Sequence, residues 1–202
     1  MHVSLTRTRD SALSNIGKIQ RVYDQFPDLP LETRYLLSEI LLIRLSSVLE
    51  IFFSEAAYKL ACGAAYLDGS APALLINCKS MQSARNNMLK HGRPKPRSFL
   101  KWTAAPAIKD SVEKVIDPTD HYVITVYNHS ARIKELFKVR NFAAHRSTSS
   151  REGYQDAVRT VYGRKRNIPI GVFLISNAHL TINNLQRYLV ESRVIIRELC
   201  KS

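Results

Sequence analysis

Eighteen residues, "LLSEILLIRLSSVLEIFF" (36–53), constrain the fold more than any other stretch of the chain. They hold no Gly or Pro, and apolar side chains recur on nearly every side of a helix drawn through them. A helix that is apolar all round is buried all round. The run also holds Glu39, Arg44 and Glu50, and three charges speak against a membrane span. Pro30 suits the first turn of this helix, Glu32 suits its positive end, and Gly63 suits its stop. The pattern predicts one long central apolar helix over about 31–63. In a chain of 202 residues, part of its cover is expected from a second subunit.

The remaining segments are read the same way. Leu5, Leu13, Ile16, Ile19, Val22 and Tyr23 recur at helical spacing and predict a helix over about 4–25, stopped by "FPDLP". Shorter helices are expected at 80–90, 106–116 and 150–162, with an exposed loop, "HGRPKPRSF", at 91–99. The stretch 121–147 reads as one long helix, although the β-branched "YVITVY" suits a strand as well. A final amphipathic helix is expected over about 178–200, carrying Leu180, Leu185, Leu189, Ile195, Ile196 and Leu199. The one exception is "NIPIGVFLISN" (167–177), read as a short extended segment or buried loop near 168–175. The expected fold is an all-α bundle forming a single domain over 1–202.

The formal net charge is +13, from 30 Lys and Arg against 17 Asp and Glu. Such an excess concerns partners rather than fold, and points to a polyanion: RNA, DNA or an anionic surface. The N-terminus has no apolar run of the secretory kind. Cys62, Cys78 and Cys200 are scattered, with no CxxC and no Cys/His pair at zinc spacing. They read as reduced thiols of a cytoplasmic protein. The sequence offers no metal cluster and calls for no cofactor.

The chemistry concentrates in "VRNFAAHRS" (139–147). On a helix turning about 100° per residue, Ile133, Leu136, Phe137, Ala143 and Ala144 form one stripe, with Arg140 near its centre. A guanidinium there needs an anion or a solvated cleft, because burying it unpaired costs several kcal/mol. Asn141 and His145 lie one turn apart on one face, and the Arg140 side chain reaches the same point. Guanidinium, carboxamide and imidazole around one point suit a phosphate. A purely structural reading stands beside this one. In it Arg140 pairs with Glu50 or Glu55, and His145 approaches the negative end of its helix.

"RNFAAHR" resembles the Arg-x4-His motif of HEPN domains (higher eukaryotes and prokaryotes nucleotide-binding), in the form with a polar residue directly after the arginine. Arg140, Asn141 and His145 occupy the motif positions. The surrounding order of helices is similar to that of stand-alone bacterial HEPN proteins from toxin–antitoxin and anti-phage systems. The resemblance implies a HEPN-like helical bundle and a metal-independent endoribonuclease acting as a toxin or defence effector. It further implies a homodimer that brings two motifs to one composite active site, with an antitoxin or defence-system protein as a partner. Glu50 then supports Arg140. One departure matters: where some relatives carry a modifiable tyrosine two residues beyond the histidine, this chain has Ser147.

In such a reaction the ribose 2′-hydroxyl attacks the adjacent phosphorus. Histidine ordinarily titrates near neutrality and serves as base or acid. Arginine steadies the phosphoryl oxygens, and no metal is required. Arg146 extends the motif towards RNA. "KHGRPKPRSFLKW" (90–102) interleaves Lys90, Arg93, Lys95, Arg97 and Lys101 with Phe99 and Trp102, a pattern suited to phosphates and bases. "YGRKR" adds Arg164, Lys165 and Arg166 as a second basic cluster. The alternative function is a non-catalytic HEPN module binding RNA, a nucleotide or a partner protein. A DNA-binding regulator is a weaker third reading, since no helix-turn-helix with a polar recognition helix stands out.

Overall fold

The structure is a computed structural model and describes residues 4–177 and 181–201. Among them the chain is all-helical, and its β pairing is the isolated antiparallel bridge Leu74–Ile116. The helices are α1 (Leu5–Tyr23), α2 (Leu31–Ala61), α3 (Met81–Lys90), α4 (Ala105–Val112), α5 (His121–Asn128), α6 (Ser130–His145), α7 (Thr148–Tyr162), α8 (Ile170–Ile175) and α9 (Asn184–Cys200). A 3₁₀ turn, Phe26–Asp28, stands between α1 and α2. No helix among the described residues is long and apolar enough to cross a membrane.

The chain groups into two compact units. The first takes the start of the chain to Leu13, then Leu49–Ile133, then everything from Val194. The second takes Ser14–Val48 and Lys134–Arg193. Segments of α1, α2, α6 and α9 therefore belong to each.

In the first unit Phe52, Phe53, Leu60, Ile108, Val112, Tyr122 and Leu199 are essentially fully buried. Asp120 is buried with them and is fully used. It accepts from the Tyr66 hydroxyl, from Ala73 N–H (2.7 Å) and from Tyr122 N–H (2.8 Å), the last capping α5. The carboxylate and the burial together hold the Tyr66 phenol protonated well above its ordinary range, burial being the larger cause. The three cysteines are free thiols, and burial pushes Cys200 up to about 12.

In the second unit Ile16, Leu42, Leu45, Val139, Tyr154, Phe173, Leu174, Leu185 and Leu189 are buried. A chain of rings crosses this core. Phe142 stacks on Tyr154 with centroids 4.8 Å apart, and Tyr154 meets Phe173 edge-on at 5.5 Å. The Tyr154 hydroxyl donates to Ile168 O at 2.8 Å, so the buried phenol is satisfied.

Several sequence expectations are corrected. Residues 170–175 are a helix, not an extended segment. Asn184 Nδ2 donates to Phe173 O (2.8 Å), satisfying a carbonyl in its last turn. The 121–147 helix is two helices divided at His129 (φ −96°, ψ 10°), whose Nε2 is 2.6 Å from Glu198 Oε2. The last helix starts at Asn184, with Asn183 Oδ1 accepting from Gln186 N–H at 2.9 Å. Leu180 and the expected start at 178 lie outside the described residues. Apart from these corrections, α2 is 31 residues long, and in the single chain Leu36 is 62%, Ile40 50% and Ile51 57% exposed.

α8 approaches α2 at a glycine. A Cβ on Gly171 would stand 2.6 Å from Tyr35 Cβ and 2.8 Å from Tyr35 Cα. Backbone cannot yield as a flexible side chain can, so Gly171→Ala is expected to cost about 1–3 kcal/mol. Thermal unfolding should show a fall of about 2–4 °C for each kcal/mol lost.

Candidate functional site

The Arg-x4-His stretch forms the last turns of α6, in the second unit. Its environment depends on the residues that cover α6. Leu136, Phe137 and Val139 are buried, and so is Phe142, which lies round the helix from them under the Tyr154 ring. The stripe expected through Ala143 and Ala144 is therefore misplaced at its C-terminal end: Ala144 is exposed. The large ring of Phe142 carries more apolar area than two alanine methyls, and it decides which face α7 covers.

Arg140 is half-buried. Its Nε donates to Ser46 Oγ of α2 (3.3 Å), and one terminal nitrogen donates to Asn141 Oδ1 (3.1 Å). Ser46 is itself buried, and its hydroxyl donates to Ile43 O at 2.8 Å. The relay Ile43–Ser46–Arg140–Asn141 fixes the guanidinium and turns the carboxamide so that Nδ2 points away from it. His145, one turn beyond Asn141, is exposed. The three residues share the exposed end of one helix, with the arginine anchored and the imidazole open to solvent. Glu50 lies on the part of α2 that belongs to the first unit and is half-buried there.

Directly after the histidine the chain turns a corner. Arg146 takes a left-handed backbone (φ +50°) and its N–H closes onto Phe142 O at 3.1 Å. Its guanidinium pairs with Glu39 of α2 and lies 5.1 Å from the Phe142 ring centroid. Ser147 caps α7, its Oγ accepting from Ser150 N–H at 3.3 Å. Sequence reasoning did not single out Glu39 and Ser46 as partners of the motif. Their only signal was that of polar residues inside an otherwise apolar run.

The basic stretch 90–102, in the first unit, sorts into two groups. Arg93 has a side chain 7% exposed, donates to Met88 O (2.9 Å) and pairs with Asp110. Arg97 pairs with the other Asp110 oxygen. Trp102 is buried, with its ring edge-on to Tyr58 at 5.8 Å. These three hold the loop to the body of the unit. Lys90, Lys95, Phe99 and Lys101 face solvent. Of the second cluster, Arg164 and Lys165 are exposed beyond Gly163, which ends α7 with φ +72°. Arg166 lies 5.2 Å from the Tyr162 ring centroid.

Among the described residues no group of three or more His, Cys, Asp or Glu side chains is placed to hold a metal ion. No protein-family model, curated protein or solved structure matches the chain.

Asp110 gives a pH test of the loop anchor. Burial raises its carboxyl, but Arg97 and Arg93 outweigh that and hold it below the usual range. A depressed folded value stabilises above the unfolded carboxyl's, about 3.9, and that stabilisation is lost as pH falls through the folded value. Asp110→Asn is therefore expected to melt lower than wild type at pH 7. The gap should narrow as melts are repeated below about pH 4.

Proposed function

We propose that this chain is a HEPN-type endoribonuclease, acting on RNA as a toxin or defence effector without a metal ion. The observation that carries the reading is the end of α6, which holds an Arg140 anchored on Ser46 and Asn141 and, one turn beyond Asn141, an exposed His145. In the reaction, His145 takes the proton of a ribose 2′-hydroxyl as the oxygen attacks the adjacent phosphorus. Arg140 donates to the phosphoryl oxygens as negative charge builds. The Asn141 Nδ2 group donates to the same phosphate. The P–O5′ bond breaks, the leaving oxygen takes up a proton, and the products are a 2′,3′-cyclic phosphate and a 5′-hydroxyl.

One motif supplies one imidazole, whereas transesterification uses a base and an acid. A homodimer with facing motifs supplies both. An interface is supported by the solvent-facing side of α2 in the same unit, where Leu36 and Ile40 lie one turn apart and at least half exposed.

Purified protein incubated with RNA in EDTA is expected to yield fragments with those ends. His145→Ala and Arg140→Ala should each lower the rate by about 100- to 10,000-fold. His145→Ala should leave unfolding unchanged, since the side chain is exposed. Cleavage abolished by EDTA and restored by Mg²⁺, or fragments with 5′-phosphates, would refute the reading. RNA bound but never cut would favour the non-catalytic alternative.

Assembly has its own test. Leu36→Asp with Ile40→Asp places two charges on the exposed stripe and should leave each chain folded. Light scattering should then report a monomer where wild type is a dimer, and RNA cleavage should fall with dissociation. A wild-type monomer cutting at full rate would sink the shared site.

A further inference from the structure

The loop between α3 and α4 in the first unit is pinned on both sides of its middle. Before the middle, Arg97 N–H donates to Leu89 O (2.9 Å), and the Arg93 and Arg97 guanidinium groups hold Asp110. After it, Lys101 N–H donates to Ser111 Oγ (3.1 Å) and Trp102 is buried. Between these anchors the chain presents Phe99, 61% exposed. An open cavity of about 350 Å³ adjoins it, lined by Pro96, Arg97, Ser98, Phe99, Lys101 and Asp110. The Lys101 ammonium stands 5.7 Å from the Phe99 ring centroid.

An aromatic ring left in water forgoes the gain of burial. Here the loop is held in place while the Phe99 ring faces out, so the arrangement is prepared for something flat that arrives from solution. The cations set its charge. Lys101 is at the ring, and Lys95 is exposed beside the cavity-lining Pro96. The Asp110 carboxylate is already balanced by two arginines.

We propose that the Phe99 cavity is a subsite for one unstacked base of single-stranded RNA, the base lying on the Phe99 ring and the flanking phosphates on Lys101 and Lys95. It rests on the reading of RNA as substrate. Single strands are specified by geometry. In a duplex each base face is covered by its neighbours, and the A-form major groove is too narrow to admit a side chain. A splayed base has a free face for the ring, and cations beside it track the backbone.

The test uses full-length protein carrying His145→Ala, so that binding is read without cleavage. The probe is a single-stranded RNA with one 2-aminopurine, whose fluorescence is quenched on stacking. Binding is expected to quench it. Phe99→Ala should weaken binding by about 5- to 150-fold, while Phe99→Trp should preserve it. Lys101→Ala should reduce the slope of log affinity against log salt by about 0.7. Binding to blunt duplex RNA should be weaker and indifferent to Phe99→Ala. Equal single-strand affinity with and without the Phe99 ring would overturn the subsite, as would absence of any RNA binding by the parent. Ring-dependent binding in a wild-type protein that never cleaves would keep the subsite and remove the catalytic reading. Cleavage by a protein whose RNA affinity ignores Phe99 would do the reverse.

Discussion

The stacked pair Phe142–Tyr154 decides where α6 ends and what its last turn presents. With the Phe142 ring 4.8 Å from Tyr154, α7 has to start close behind α6. The chain makes that reversal in two residues, Arg146 in the left-handed region and Ser147 as the cap of α7. A non-glycine residue with positive φ costs of order 1 kcal/mol or more. Arg146 offsets this through Glu39 and the face of Phe142. Because the corner comes directly after His145, the imidazole stands at a helix end in solvent rather than midway along a covered face. The same packing leaves Arg140 on the side facing α2, where Ser46 receives it.

Much of this was legible in the sequence where one signal dominated. The run 36–53 has no breaker and is too long for a strand, so it reads as a long helix, and α2 ends within two residues of the expected Gly63. The motif residues lie on one helix as their spacing requires. The misreadings share a cause: partners distant in sequence. Ala143 and Ala144 look like core beside Leu136 and Phe137, but α7 covers the side that carries Phe142. "IGVFLI" looks extended by composition, yet Gly171 allows close approach to Tyr35 and Asn184 caps the end. His129 divides a promising helix while its ring meets Glu198, 69 residues on. None of these partners can be paired from local pattern.

The charge surplus is also reshaped by folding. In the 90–102 stretch, composition treats five cations and two aromatic rings as equivalent candidates for RNA. Folding withdraws Arg93 and Arg97 to Asp110 and Trp102 to Tyr58. Arginine's planar fork suits such multi-point anchoring, whereas lysine's flexible ammonium stays hydrated at the surface. The division of labour in this loop reflects that chemistry: arginines hold it, and lysines with Phe99 face outward. On the proposed reading, the whole-chain charge of +13 suits a polyanionic partner, while the fold selects which cations stay open to it.

Position 147 carries the same logic into regulation. A tyrosine two residues after the histidine would offer a hydroxyl for modification beside the site. Here the place is held by Ser147, whose Oγ accepts the Ser150 N–H and opens α7. An N-cap acceptor of this kind contributes about 0.5–2 kcal/mol, and an aromatic side chain supplies no equivalent short acceptor. Ser147 thus serves the corner that ends α6, and through that corner the placement of His145. The next tyrosine, Tyr154, is buried in the stack, its hydroxyl committed to Ile168 O and its phenol held protonated above the ordinary range, chiefly by burial. On the proposed reading, control by tyrosine modification has no foothold at either position. On that same reading, restraint by a partner would work through exposed surface rather than through a tyrosine, and the exposed end of α6 is the surface nearest His145.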